Sequence, residues 1–165
     1  MSKRNKLSKF EDIMSYPNVY QNFSPKEIKP MGQGGKVVQL KGKWAEHFGD
    51  QKPITLELAC GRGEYTIQLA RDYTDRNFIG VDVKGARIWK GATMALSEGL
   101  DNVAFMRTKI EVIEEFFAPN EISEIWITFA DPFLGKPNRR LTAPDFHDRY
   151  KRMLIDGGVV NMKID

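Results

Sequence analysis

A chain of 165 residues with a 41% apolar share can bury the core of one domain. It holds no apolar run long enough for a membrane span and no signal-peptide core, which points to a cytoplasmic protein. One cysteine, Cys60, and two histidines, His47 and His147, leave no disulfide framework and no cysteine or histidine metal centre.

The net charge of +3 is unevenly spread. Residues 1–52 carry ten Lys/Arg against five Asp/Glu, net +5, and the remainder fifteen against seventeen, net −2. A basic front on a near-neutral body suits a polyanionic partner, or is simply a solvated tail. Residues 1–36 combine MSKRNKL with a stretch dense in Pro, Gly, Asn and Gln, which predicts a flexible arm ahead of a domain spanning 37–165. Tyr16, Tyr20 and Phe23 punctuate the arm, either packing on the body or stacking on bases.

LKGKWAEHFG predicts a short helix. From residue 53 strands and helices alternate: PITLELAC as a buried strand, EYTIQLARDY as a helix, NFIGVDV as a strand, and ARIWKGATMALSEG as a helix closed by Gly99. NVAFMRT, a short EVIEEFF helix and EIWITFADP follow. TAPDFHDRYKRMLID then reads as a helix capped by Thr142, stopped by Gly157-Gly158 before a last strand, VVNMKI. This alternation predicts an α/β fold, a Rossmann-like doubly wound and mostly parallel sheet. The sequence stops at Asp165 on a strand tip, the expected site edge of such a sheet, so a partial chain lacking C-terminal strands is expected.

Glu57-Leu58-Ala59-Cys60-Gly61-Arg62-Gly63 links the first of these strands to its helix. Small residues there admit a ligand close to the backbone. The glycine spacing is not that of a dinucleotide fingerprint, and Glu57 would repel a pyrophosphate. A carboxylate there suits a cationic ligand, such as an amino group beside a sulfonium. Asp82, ending the next strand, holds the ribose-hydroxyl position. Glu57, Ala59, Gly61, Gly63 and Asp82 together resemble the first two motifs of class I S-adenosylmethionine-dependent methyltransferases. That resemblance places Lys109-Ile110-Glu111, after the next strand, beside the adenine. Cys60 reads as packing, since no histidine neighbours it.

Asp131 ends the strand EIWITFADP and faces a basic loop. It could serve a turn, grip an exocyclic amine, or hold a heteroaromatic nitrogen. Asp131-Pro132-Phe133, Lys136, Arg139-Arg140-Leu141-Thr142, Pro144 and Phe146 resemble the F-P-D-P-W…K-R-R-L-T-x-P-x-F pattern of tRNA (guanine-N7)-methyltransferases. Lys163-Ile164-Asp165 resembles that family's K-T-D, and Gly80-Val81-Asp82 with Lys84-Gly85-Ala86-Arg87 resembles it too. Ala130, Phe133 and Ile164 depart from the pattern, and the family's T-x-x-E segment is absent. The resemblance implies methylation of N7 of the variable-loop guanine in tRNA, with S-adenosylmethionine as donor. It gives Asp131 the catalytic role and a place beside the cofactor. It makes Asp165 a guanine contact and Lys136, Arg139 and Arg140 phosphate contacts, with Lys3, Arg4 and Lys6 as an accessory arm. N7 carries a free lone pair, so the reaction needs no strong base. The competing readings are a noncatalytic tRNA-binding module, a nucleotide-dependent oxidoreductase, and an exocyclic-amine methyltransferase.

Overall fold

The computed structural model describes residues 5–128, 135–136 and 140–163. Six strands form one all-parallel sheet: β1 (Val19–Gln21), β2 (Ile54–Leu58), β3 (Asn77–Asp82), β4 (Val103–Arg107), β5 (Ile122–Thr128) and β6 (Leu154–Lys163). Their order is β1-β4-β3-β2-β5-β6. From β2 the chain steps outward through β3 and β4, then returns to pair β5 on the other side of β2. The winding therefore reverses between β2 and β5, as in a Rossmann-like sheet.

Among the described residues five α-helices cover the sheet: α1 (Lys6–Ser15), α2 (Trp44–Phe48), α3 (Glu64–Asp72), α4 (Gly85–Glu98) and α5 (Pro144–Met153). Every residue of β2 and β3 is buried, as central parallel strands require. Side chains alternate between two cores. Phe78, Val103 and Phe105 meet Ile67, Ile88 and Ala92 from α3 and α4, with Ile13 of α1. Leu56, Ile79, Met106 and Ile125 meet Trp44, Phe117, Tyr150 and Met153 on the other face.

Residues 5–36 are not the arm expected from their composition. Asn5 caps α1 by accepting from Ser8 N at 2.7 Å, and α1 packs along α4. Trp89 Nε1 donates to Asp12, Tyr16 OH shares a hydrogen bond with Thr93, and Asn18 donates to Ala92 O. β1 then extends the sheet beside β4. Composition missed this because a few long-range anchors, rather than a long apolar run, hold the segment.

EVIEEFF forms the expected short helix, as a 3-10 segment over Ile110–Glu115. Two local expectations change. The N-cap of α5 is Ala143 rather than Thr142. β6 begins directly at Leu154, and Gly157-Gly158 falls within it at a register shift, with Gly157 at φ 78.

Candidate active site

A cavity of about 650 Å³ opens at the carboxyl ends of β2 and β5, where the winding reverses. Glu57, Ala59, Gly61, Tyr65, Arg87 and Thr128 are among its lining residues. Ligands of open α/β sheets bind at such a point, and the size suits a nucleoside-sized molecule.

Glu57, next to last in β2, is buried at 4% exposure. Its Oε1 accepts from Thr66 N at 3.1 Å and from the Thr66 hydroxyl at 2.5 Å; its Oε2 accepts from the Thr128 hydroxyl. These partners are neutral. Burial raises the pKa of Glu57, the hydrogen bonds from Thr128 and Thr66 offset part of that rise, and nearby Asp82 adds to it. A cationic ligand would favour the ionised carboxylate. Thr66 and Thr128 escaped the sequence reading. The available signal was Thr66 in the first turn of the helix after Glu57, and Thr128 at the end of the strand beside it.

The turn after β2 folds back on itself. Ala59 takes a left-handed φ of 57, unusual for a residue with a Cβ and a mark of functional turns. Gly63 N donates to Cys60 O at 2.9 Å, and Gly61 N donates to Asp82 Oδ2 at 2.9 Å. The other Asp82 oxygen accepts from Lys84 N at 2.8 Å, so this carboxylate ties the turn after β2 to the turn after β3. The glycines differ in purpose. A Cβ on Gly61 would meet nothing within 4 Å, whereas one on Gly63 would lie 2.7 Å from Phe105. Gly61 leaves room toward the cavity; Gly63 makes room for the core.

Asp82, Lys109, Ile110 and Glu111 do not line the cavity. Asp82 is turned beneath Gly61, Lys109 and Glu111 are exposed, and Ile110 packs on the α2–α5 core. Lys136 is exposed and Arg140 half-buried; Asp131, Arg139 and Asp165 lie outside the described residues. Cys60 is buried, and burial pushes its thiol pKa well up, which suits packing rather than nucleophilic work. Tyr65 is a lining residue that sequence reasoning missed. Its ring meets Trp126 edge-on at 5.3 Å and carries Lys163 Nζ 4.8 Å from its centre. No helix among the described residues is long and apolar enough to cross a membrane.

Residues 51–165 match a family described as putative methyltransferase. The tRNA (guanine-N(7)-)-methyltransferase of Christiangramia forsetii is 51% identical over 168 residues, covering 100% of this chain and 72% of that protein. The chain belongs to the tRNA (guanine-N(7)-)-methyltransferase family. The family member from Bacteroides fragilis is 49% identical over 98% of this chain, and this chain spans 62% of that relative's length. Among solved structures, the antibiotic-resistance methyltransferase Kmr superposes with a TM-score of 0.61 at 17% identity, covering 79% of this chain and 70% of Kmr. The aminoglycoside resistance methyltransferase NpmB1 gives 0.61 at 20% identity, covering 81% and 67%. At such identities the likeness concerns the fold, which is that of a methyltransferase.

Proposed function

We propose that this chain methylates N7 of guanine in tRNA, using S-adenosylmethionine, in the cytoplasm. The observation that carries the reading is the buried, neutrally partnered Glu57 at the reversal of the sheet. The family's activity requires a cationic methyl donor at such a site, and the residues present fit one. Glu57 keeps acceptor capacity for an ammonium. Gly61 leaves open space above the turn. Asp82 retains lone pairs for ribose hydroxyls beside the backbone it already holds.

S-adenosylmethionine supplies an electrophilic methyl group. The chain's residues hold donor and acceptor in line, which replaces an encounter in solution by a fixed geometry. Asp131 accepts hydrogen bonds from guanine N–H groups and stabilises the positive charge that the ring acquires at N7. Asp165 contacts the same base. Lys136, Arg139 and Arg140 hold phosphates and set the register of the tRNA.

The test is incubation with methyl-labelled S-adenosylmethionine and unmodified tRNA, followed by nucleoside analysis. Label in 7-methylguanosine is expected. Asp131→Ala should lower turnover by roughly 100-fold or more while most tRNA affinity survives, because phosphate contacts dominate affinity. Label on an exocyclic amine would overturn the N7 assignment. Cofactor and tRNA binding without transfer would indicate the noncatalytic module.

A further inference from the structure

The rim of the sheet continues past the cavity onto a flank that the proposed tRNA contacts do not use. β1, β3 and β4 end at the same rim of the sheet as β2, on the side of β2 away from β5. α4 begins at that rim with Gly85. α1 runs alongside it in the same direction, because Phe10 and Ile13 lie against Gly85 while Tyr16 reaches Thr93. The first turns of both helices, and the residues after three strands, therefore share one edge.

That edge is cationic and aromatic. Arg107, last in β4, holds its guanidinium 5.1 Å from the Phe10 ring and 5.4 Å from the Phe23 ring. It donates to Gln21 Oε1 at 3.0 Å and to Val83 O at 3.3 Å. Among the described residues these engage two of its five N–H donors. Lys6 Nζ stands 5.9 Å from the same Phe10 ring, and Lys9 Nζ 5.0 Å from Trp89. Lys84, the N-cap of α4, and Arg87, in its first turn, are exposed, and Arg87 also lines the cavity. Asp12, the nearest α1 carboxylate to Trp89, is occupied by the indole N–H.

Phe23 sits outermost on the Arg107 stack and is 54% exposed. A large apolar ring left in water on top of a guanidinium is the usual platform for a nucleobase, and lysines around it suit phosphates.

We infer that Lys6, Lys9, Lys84, Arg87 and Arg107, with Phe23 as a stacking ring, form a second tRNA-binding surface, which grips the substrate on the flank of β2 away from β5. Phe23 stacks on an unpaired base, and the cations hold the flanking backbone. This rests on the methyltransferase reading, and the experiment separates the two.

Binding of unmodified tRNA is measured against salt for the full chain, for Lys6→Ala/Lys9→Ala/Lys84→Ala, for Phe23→Ala and for Phe23→Trp. S-adenosylhomocysteine affinity and Tm serve as controls, because none of these four residues lines the cavity. The triple variant should bind roughly tenfold more weakly or worse, and its log–log salt slope should fall by about 2 to 3. Phe23→Ala should lose about 5- to 100-fold with its slope unchanged, and Phe23→Trp should restore binding. Wild-type affinity and slope in both the triple variant and Phe23→Ala, beside a wild-type chain that methylates tRNA, would overturn this surface and leave the enzyme standing. A wild-type chain that neither binds nor methylates tRNA would overturn the enzymatic reading, and this surface with it.

Discussion

Gly61 and Gly63 stand two residues apart, both with left-handed backbones, at φ 59 and φ 74. An alanine at either position meets the left-handed penalty of about 1–2 kcal/mol. At Gly63 it also drives a methyl into Phe105, and overpacking adds about 1–3 kcal/mol. Gly63→Ala is therefore expected to cost clearly more in urea denaturation than Gly61→Ala. Gly61→Ala should instead weaken S-adenosylhomocysteine, since its added methyl occupies open space beside the cavity. Equal stability losses would contradict this division. The turn was legible because its chemistry is local: glycines, a carboxylate four residues before Gly61, and a second one a strand later. The support was not legible. Thr128 reaches Glu57 across 71 residues of sequence, and Phe105 presses Gly63 from another strand. Such partners exist only once the sheet has formed.

At the scale of elements, α2 shows how a five-residue helix persists. Trp44 is fully buried, donates to Phe116 O at 2.8 Å and stacks on Phe117 at 5.3 Å. Glu121 accepts from the N–H groups of Gly42 and Trp44, which answers the amide groups exposed at the helix start. His47, in the last turn, is held against Tyr20 by a 2.5 Å hydrogen bond to its Nδ1. Burial lowers the His47 pKa from its ordinary 6.5. Between the lowered value and 6.5, the unfolded chain binds more protons here than the folded one, so this contribution to stability rises with pH. It is present above 6.5 and is lost as acidification carries pH down through the window. His47→Gln should flatten the pH dependence of unfolding below 6.5; an unchanged slope would remove His47 from the acid response. Tyr20, which supports this contact, lies in β1, in the stretch that composition reads as an arm. Its low apolar density hid nearly three helical turns and an edge strand whose anchors are single side chains. By contrast, α4 was plain, because Ile88, Ala92 and Ala95 follow helical spacing and Gly99 ends it.

For the whole molecule, the alternation of strands and helices carried the fold, since parallel strands leave few ways to bury both faces. The sheet's two margins differ. β1 is overlaid by antiparallel bridges of Gln21 with Met31 and of Met31 with Val37. β6 instead exposes Ile155, Val159, Val160 and Met162 along the margin beyond β5. Among the described residues no strand pairs the outer edge of β6, and such an apolar edge templates further pairing. The 165-residue chain should therefore associate as its concentration rises, as read by sedimentation. Val160→Lys should shift it toward monomer without lowering Tm, and persistent association in that variant would point to another face.

The pairing of β1 with β4 also bears on how the molecule is made. Arg107 and Gln21, bonded in the finished sheet, are separated by 86 residues. At about 5–20 residues per second of synthesis, the N-terminal segment waits roughly 4–17 seconds for its strand partner to emerge. This early segment is thus held back until β4 emerges, although it is made before every other strand of the sheet. During that interval its exposed aromatic and basic side chains are open to any polyanion nearby, the ribosome's own RNA included.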